Sequence, residues 1–391
     1  MKLDKIYIIW QFDPRSKNIG GVGKYVISFA KEIYEKYEVV IVGVTKNAKE
    51  VGKLQVINLD GFNIFFLPVC TDKNIPTKSF TPLLFKFVLG LNKFKNLFDK
   101  RATFFLQRFE YSFIKMNANS RYFVNFHYDI SHYLERKSGE SYWKYFPSVY
   151  KYLLKKIEPN INGFFSVNNQ SCHYLKRLLH KRKEIYFFPT WADSKLFYYE
   201  TERVNVKLKV ISKFDLLPNN YYLLSIGRIN KSKNLMMLLT CIVDLPENFS
   251  LIIVGDGPYL DNCIEFAKQN GIQNRVLFLG RIEHYKIKDL YVACDLYVST
   301  SLTEGMSIAL MESLACGTPA LTFNTGEAST VIQEGLNGLI VHDFSYASFL
   351  EGIRSMYSQR NNFIHKNISD SISKFSAKDI ISSILEKFKA S

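Results

Sequence analysis

The sequence lacks most of the marks of an exported, membrane-spanning or metal-holding chain. Its six cysteines (Cys70, Cys172, Cys241, Cys263, Cys294 and Cys316) include no Cys-x-x-Cys pair, so reduced thiols are expected rather than disulfides or a zinc site. No apolar run reaches the roughly 18 residues of a spanning helix. The start, through Trp10, has too short a hydrophobic region for an export signal and no small-residue cleavage site. A cytoplasmic location is the expectation. Acidic residues are also in deficit: 51 Lys and Arg against 36 Asp and Glu leave a net charge of +15. Such an excess attracts a polyanion, an anionic membrane face or a phosphorylated ligand.

What is present is an ordinary globular balance, 47% hydrophobic and 22% charged over 391 residues, which excludes disorder for most of the chain and suggests two or three domains. Strand-like apolar runs alternate with helix-length segments. Near the start, Lys5–Trp10 reads as a buried strand, followed by a glycine-rich loop, a helix over Val22–Tyr37 and a strand over Glu38–Val44. The second half repeats the rhythm. Strands are expected at Tyr221–Gly227, Ser250–Gly255, Val276–Gly280, Leu296–Thr300, Pro319–Phe323 and Gly338–Val341. Helices are expected at Leu235–Asp244, Tyr259–Gln269, Lys286–Cys294, Ser307–Cys316 and Ser329–Glu334. This alternation implies right-handed crossovers and a parallel sheet in each half. The polar stretch between Tyr199 and Asn219 reads as the boundary.

The segment from Lys86 to Arg121 carries eight Lys or Arg and two Asp or Glu. Phe94, Phe98, Phe105, Phe109 and Phe113 recur near helical spacing within it. It reads either as a helix whose aromatic stripe packs on its own sheet, or as a basic aromatic surface for anionic lipid. One helix can do both.

Three motifs carry chemistry. Gly20-Gly21-Val22-Gly23-Lys24 sits where the first strand turns into the first helix, and glycines there let backbone approach a phosphate at a helix N-terminus. Val26 stands where a dinucleotide fingerprint has its third glycine, and Asn18 and Tyr25 break the P-loop pattern. A tight strand–helix connection explains the loop equally well. Next, a strand ending at Gly227 delivers Arg228 and Lys233 to the carboxyl ends of the strands, where open α/β sheets bind ligands. Two cations there suit a diphosphate, while Lys231 reads as a solvated loop residue. Finally, Glu304 precedes a helix and Glu312 lies eight residues on, inside it. The N–H groups around Gly305, Met306, Ser307 and Ile308 offer a seat for phosphate. Carboxylates flanking such a seat describe a nucleotide-sugar site.

These motifs resemble the retaining glycosyltransferases of family 4. Glu304 through Glu312 resembles that family's E-x7-E element, Gly227-Arg228 through Lys233 its G-R-x4-K element, and Gly20-Gly21-Val22-Gly23 its N-terminal glycine loop. Val254-Gly255-Asp256-Gly257-Pro258 and Phe278-Leu279-Gly280 are similar to recurring strand ends. Pro189 through Phe197 resembles the element before the interdomain linker, with Thr190-Trp191 in place of the usual Asn-Gly. Lys233-Asn234 replaces Lys-Gly.

The resemblance implies a GT-B fold, an α/β architecture of two Rossmann-like domains with parallel sheets facing a central cleft. Residues 1–203 would form the acceptor-side domain, with a C-terminal helix over 374–391 packing back on it, and residues 204–373 the donor domain. It also implies residue roles. Arg228 and Lys233 would hold the donor diphosphate, Glu304 would contact the donor sugar and Glu312 the ribose. Gly20 and Gly21 would close over the phosphates, and His127 would lie near the transferred sugar. The chain contains no Asp-x-Asp, so neither a metal nor another cofactor is expected. A UDP-sugar is favoured over GDP-mannose as donor. The expected acceptor is a lipid-linked sugar at the inner membrane face, in surface polysaccharide synthesis such as O-antigen or capsule. The alternatives are a GT-B epimerase or phosphorylase, or, in another class, a basic nucleic-acid binder. Scattered charge disfavours the last, so no nucleic-acid partner is expected.

Overall fold

The computed structural model describes residues 4–16, 19–59, 61–72, 83–134, 142–179 and 183–390. Asn18 and the first three residues, which enter the sequence readings above, lie outside the described residues. The chain divides into two compact units, one of Met1–Pro189 with Ala377–Ser391, the other of Thr190–Ser376.

The first unit is built on an eight-stranded sheet: β1 (Lys5–Ile9), β2 (Glu38–Thr45), β3 (Gln55–Leu59), β4 (Phe62–Thr71), β5 (Thr103–Leu106), β6 (Arg121–Phe126), β7 (Gly163–Ser166) and β8 (Glu184–Phe187). Their order is β3-β4-β2-β1-β5-β6-β7-β8. Every neighbouring pair is parallel except β3 and β4 at the edge. The central strands are buried on both faces, which is why β2 reads Glu-Val-Val-Ile-Val-Gly-Val-Thr as one apolar run. Edge strand β3 instead shows alternating burial over its later residues.

The first unit also takes up the final helix, Ala377–Ala390. Its Ala377, Ile380, Ile381, Ile384 and Phe388 form one buried stripe. Phe388 packs against Phe123, Phe105, Phe165 and Phe29 at ring separations of 4.6, 5.3, 5.9 and 6.5 Å. Arg121 Nη1 donates to the Phe388 carbonyl at 2.5 Å, a cation at the carbonyl-rich helix end.

The Lys86–Arg121 segment is not one helix, a correction to the stripe reading. It contains the end of the helix Leu83–Lys93, the 3₁₀ turn Lys95–Leu97, β5, the 3₁₀ turn Phe109–Phe113 and the start of β6. Phe98, after the 3₁₀ turn Lys95–Leu97, Phe105 on β5 and Phe109 in the turn Phe109–Phe113 are buried core residues. Their near-helical spacing is a coincidence of a phenylalanine-rich chain.

The second unit has a six-stranded parallel sheet: β9 (Tyr221–Ile226), β10 (Phe249–Val254), β11 (Val276–Phe278), β12 (Leu296–Ser299), β13 (Ala320–Phe323) and β14 (Gly338–Val341). Its order is β11-β10-β9-β12-β13-β14. The strand order reverses at β9, whose neighbours are β10 and β12, so the crevice beyond these three strands is the topological switch point. The stretch Thr190–Phe197 belongs to this unit, with Trp191, Ala192 and Phe197 buried. The unit limits thus fall at 189/190 and 376/377, outside the polar stretch from which the sequence drew its boundary. Among the described residues no helix is long and apolar enough to cross a membrane. All six cysteines are free, five of them buried.

Candidate active site

The switch-point crevice is lined by Gly227, Arg228, Lys233, Tyr297, Ser299 and Ser301, among others. Two backbone loops shape it. The Gly227 and Ile229 N–H groups donate to Val254 and Asp256 carbonyls, both at 3.0 Å, and the Tyr259 N–H returns to the Ile229 carbonyl at 3.1 Å. This strapping brings the loops so close that a Cβ on Gly255, at φ +146°, would lie 1.8 Å from the Gly227 oxygen. Gly255 is therefore the residue that lets the Arg228 loop take its course.

Lys233 follows in a 3₁₀ turn, Lys231–Lys233, capped by Asn230 through its side-chain oxygen at 3.2 Å from the Lys233 N–H. Asn234 next adopts the left-handed conformation at φ +50°. Asparagine enters that region more readily than most residues, which accounts physically for Asn at a position where the resemblance expects Gly. The Thr300 hydroxyl lies 3.0 and 3.1 Å from the Lys233 and Asn234 carbonyls, tying the turn to the loop after β12. Arg228 is exposed and Lys233 half-buried.

The loop after β12 carries Glu304, and Lys233 Nζ donates to Glu304 Oε1. Gly326 touches this loop from the β13 side: a Cβ there would lie 2.3 Å from the Gly305 oxygen. Met306 is buried, and its sulfur accepts from the Thr190 N–H at 3.1 Å. This contact gives a packing role to the segment where Thr190-Trp191 departs from Asn-Gly. Ser307 caps the helix Ile308–Ala315, its Oγ accepting from the Leu310 N–H at 3.3 Å. The Ile308 and Ala309 N–H groups, first in the helix, have no acceptor within it and form the positive end of its dipole.

Glu312, one turn deeper, is 1% exposed. One carboxylate oxygen lies 2.5 Å from His284 Nε2, and the other accepts from the Tyr291 hydroxyl at 2.8 Å. Phe197 packs on the His284 ring at 4.9 Å and on Tyr291 at 5.8 Å. Burial next to Glu312 raises the Tyr291 pKa, keeping its proton on the bond. His284, Tyr291 and Gly326 are site residues that sequence reasoning missed. Only the glycine carried a signal, its place at a strand end; the other two contact Glu312 across more than 20 residues of chain.

The remaining candidates sit in the first unit. Gly20 caps the helix Gly21–Ile33 without a side-chain bond, and the Lys24 N–H donates to its carbonyl at 3.0 Å. His127 follows β6. Its Nε2 lies 2.7 Å from Gln107 Oε1, whose own Nε2 donates to the Phe105 carbonyl at 3.3 Å. Asn125 Nδ2 lies 3.2 Å from the same ring nitrogen. Tyr25 meets the ring edge-on at 4.8 Å. Burial holds the His127 pKa well below the ordinary histidine value, so the ring is neutral. The structure thus brings Arg228, Lys233, Glu304, Gly305, Met306, Ser307, Ile308 and Glu312 together in one unit, and holds Gly20, Gly21 and His127 in the other. Among the described residues no cluster of three or more His, Cys, Asp or Glu side chains is placed to hold a metal ion.

Two parallel-sheet α/β domains of this kind define a GT-B protein. The comparisons narrow the class: residues 209–371 match the family described as Glycosyl transferases group 1. The chain is 28% identical over 203 residues to an alpha-monoglucosyldiacylglycerol synthase of Streptococcus pneumoniae, covering 50% of this chain and 45% of the relative. It is 30% identical over 145 residues to the N-acetylgalactosamine-N,N'-diacetylbacillosaminyl-diphospho-undecaprenol 4-alpha-N-acetylgalactosaminyltransferase of Campylobacter jejuni, covering 36% of this chain and 39% of the relative. The matches thus span less than half the length of these relatives. Among solved structures, Anabaena HepE in complex with UDP and glucose superposes with a TM-score of 0.74 at 18% identity, over 99% of this chain and 100% of that one.

Proposed function

We propose that the chain is a retaining glycosyltransferase that moves a sugar from a nucleotide donor, a UDP-sugar in preference to GDP-mannose, onto a lipid-linked sugar acceptor. The observation that carries this reading is the convergence of Arg228, Lys233 and Glu304 beside the start of the Ile308–Ala315 helix at a topological switch point. Arg228 and the Ile308 and Ala309 N–H groups meet the diphosphate. Lys233, with three protons on its ammonium, keeps Glu304 while donating to a phosphate oxygen. Glu304 accepts from the donor sugar. Glu312, held by His284 and Tyr291, serves the ribose end of the donor.

In this reading the acceptor oxygen bonds to the anomeric carbon on the face that the diphosphate leaves. The departing phosphate oxygen takes the acceptor's proton. Arg228, Lys233 and the helix-start amides stabilise the growing charge without a metal or cofactor. The names of the relatives support a lipid-borne acceptor, and the UDP bound by HepE supports the donor choice. The setting proposed is bacterial surface polysaccharide synthesis, such as O-antigen or capsule, on the cytoplasmic face of the membrane.

The test is product analysis with labelled UDP- and GDP-sugars, with and without a lipid-linked acceptor. Glycosylated acceptor is expected. A changed sugar without acceptor would mean an epimerase, and a phosphate-dependent product a phosphorylase. Charge-assisted contacts to phosphate are worth about 1.5–3 kcal/mol, so Arg228→Ala or Lys233→Ala should lower turnover by about 10²-fold. Full activity in both would remove the assignment.

A further inference from the structure

We infer that His284 is the group that meets a ribose hydroxyl of the nucleotide donor, with Glu312 as the residue that positions its ring. The inference rests on the nucleotide-sugar reading above and moves the ribose contact from Glu312 to its neighbour. Ribose is common to UDP- and GDP-sugars, so the assignment does not depend on the base.

Glu312 is poorly placed to meet a ligand itself. It is 1% exposed, and each carboxylate oxygen already has a protein partner, His284 Nε2 on one side and the Tyr291 hydroxyl on the other. Tyr291 is fully buried on the helix Lys288–Ala293, which packs beside Ile308–Ala315. Parting His284 from Glu312 to admit a sugar hydroxyl would strip a partner from a buried carboxylate, which is the costly direction for such a group. The His284 side chain, in contrast, is 28% exposed. Its Nε2 is taken by Glu312, while Nδ1 has no hydrogen-bond partner among the described residues. A ribose hydroxyl both donates and accepts, so it pairs with Nδ1 whether or not that nitrogen carries a proton.

The chain brings this ring to the ligand-binding end of the sheet. His284 opens the 3₁₀ turn His284–Lys286, in the loop that leaves the carboxyl end of β11. The Gly255 N–H donates to the Gly280 carbonyl at 2.7 Å, which ties that loop to the one after β10, itself strapped to the Arg228 loop. On its other side the ring is bound to Glu312, one turn along the helix whose first amides are assigned to the diphosphate. A ribose is bonded to the diphosphate, so a group one helical turn from the phosphate seat is within range of its hydroxyls. Phe197 packs on the imidazole at 4.9 Å, and its own N–H is anchored on the Asp193 carbonyl at 2.8 Å. One hydrogen bond and one ring contact thus fix the imidazole before a ligand arrives, which lowers the ordering cost of binding.

Isothermal titration of the full chain with UDP and GDP, each beside its 2′-deoxy and 3′-deoxy counterparts, tests the assignment. In the wild type, removing one of the two hydroxyls should weaken binding about fivefold, the size of one hydrogen bond. His284→Ala should weaken the parent nucleotide by that factor and leave the deoxy nucleotide unchanged, so that the ratio of their Kd values falls to about one. His284→Phe, which keeps a ring against Phe197, should do the same. The ratio should also fall in Glu312→Ala and be restored in Glu312→Gln, whose amide oxygen still accepts from Nε2. The assignment is overturned if His284→Ala keeps or raises the ratio, because the uncovered Glu312 would then be the ribose contact. It is overturned equally if both His284 variants weaken parent and deoxy nucleotides alike, since the ring would then be structural, or if Glu312→Gln restores nothing. Wild-type binding that ignores both hydroxyls ends this assignment alone, whereas a wild type that binds no nucleotide ends the nucleotide-sugar reading and this assignment with it.

Discussion

Gly255 decides the course of the Arg228 loop by having no side chain. Alanine there would put a Cβ 1.8 Å from the Gly227 oxygen, and the peptide before Arg228 would have to move. Overpacking of this kind costs about 1–3 kcal/mol. Gly255→Ala should therefore lower the denaturation midpoint moderately and weaken nucleotide binding more than the stability loss explains. Isothermal titration of UDP beside urea unfolding separates the two effects, and unchanged values in both would show that the loop tolerates displacement.

His127 supplies a pH signature. Its folded pKa, depressed by burial to about 3, lies below the ordinary 6.5. Between those values the unfolded chain binds the extra proton, so the contribution to stability is intact above pH 6.5 and declines as pH falls toward 3. The slope from one such group is at most about 1.4 kcal/mol per pH unit. His127→Asn should show a shallower decline than the wild type from pH 6.5 to 5, read by urea unfolding at each pH. Equal slopes would mean that the ring protonates freely in the native state.

At the scale of elements, legibility followed burial. The strands of the second unit are short apolar runs ending near glycine or a turn residue, and the helix expected at Leu235–Asp244 forms over those residues. The helix expected at Ser307–Cys316 is two residues shorter, because Ser307 spends its side chain as the cap rather than as a first helical residue. The antiparallel pairing of β3 with β4 escaped notice although Gly61 follows Asp60, a hairpin signal between two apolar runs. The crowded phenylalanines of the first unit misled because residues two elements apart share one core; Phe98 and Phe104, for example, meet at 5.6 Å. Pairings such as Glu312 with His284 leave no local trace, since neither residue's neighbours specify the partner. The final helix offers the element-scale prediction. Phe388 is 3% exposed among four phenylalanines, and removing such a ring typically costs about 3–5 kcal/mol. Phe388→Ala should lower the stability of the first unit by that order, measured by chemical denaturation, and a change below about 1 kcal/mol would show that the helix contributes little to its unit.

For the whole molecule, the question is whether the residues brought together around Arg228 bind a nucleotide in solution. A ligand that binds the folded state stabilises it by RT ln(1 + [L]/Kd), about 2.7 kcal/mol at a hundredfold excess over Kd. The two units are separate compact bodies in the chain, so a ligand held chiefly by the second should raise the transition of residues 190–376 by more than that of the first. Thermal unfolding of the full chain with UDP, GDP and their sugars should show the largest shift with a uridine ligand. Arg228→Ala should remove most of that shift while leaving the ligand-free transition in place, since the exposed guanidinium lines the crevice rather than the core. A larger shift with GDP would reverse the donor assignment and leave the site standing. Equal shifts in wild type and Arg228→Ala would mean that the nucleotide binds somewhere other than the switch point.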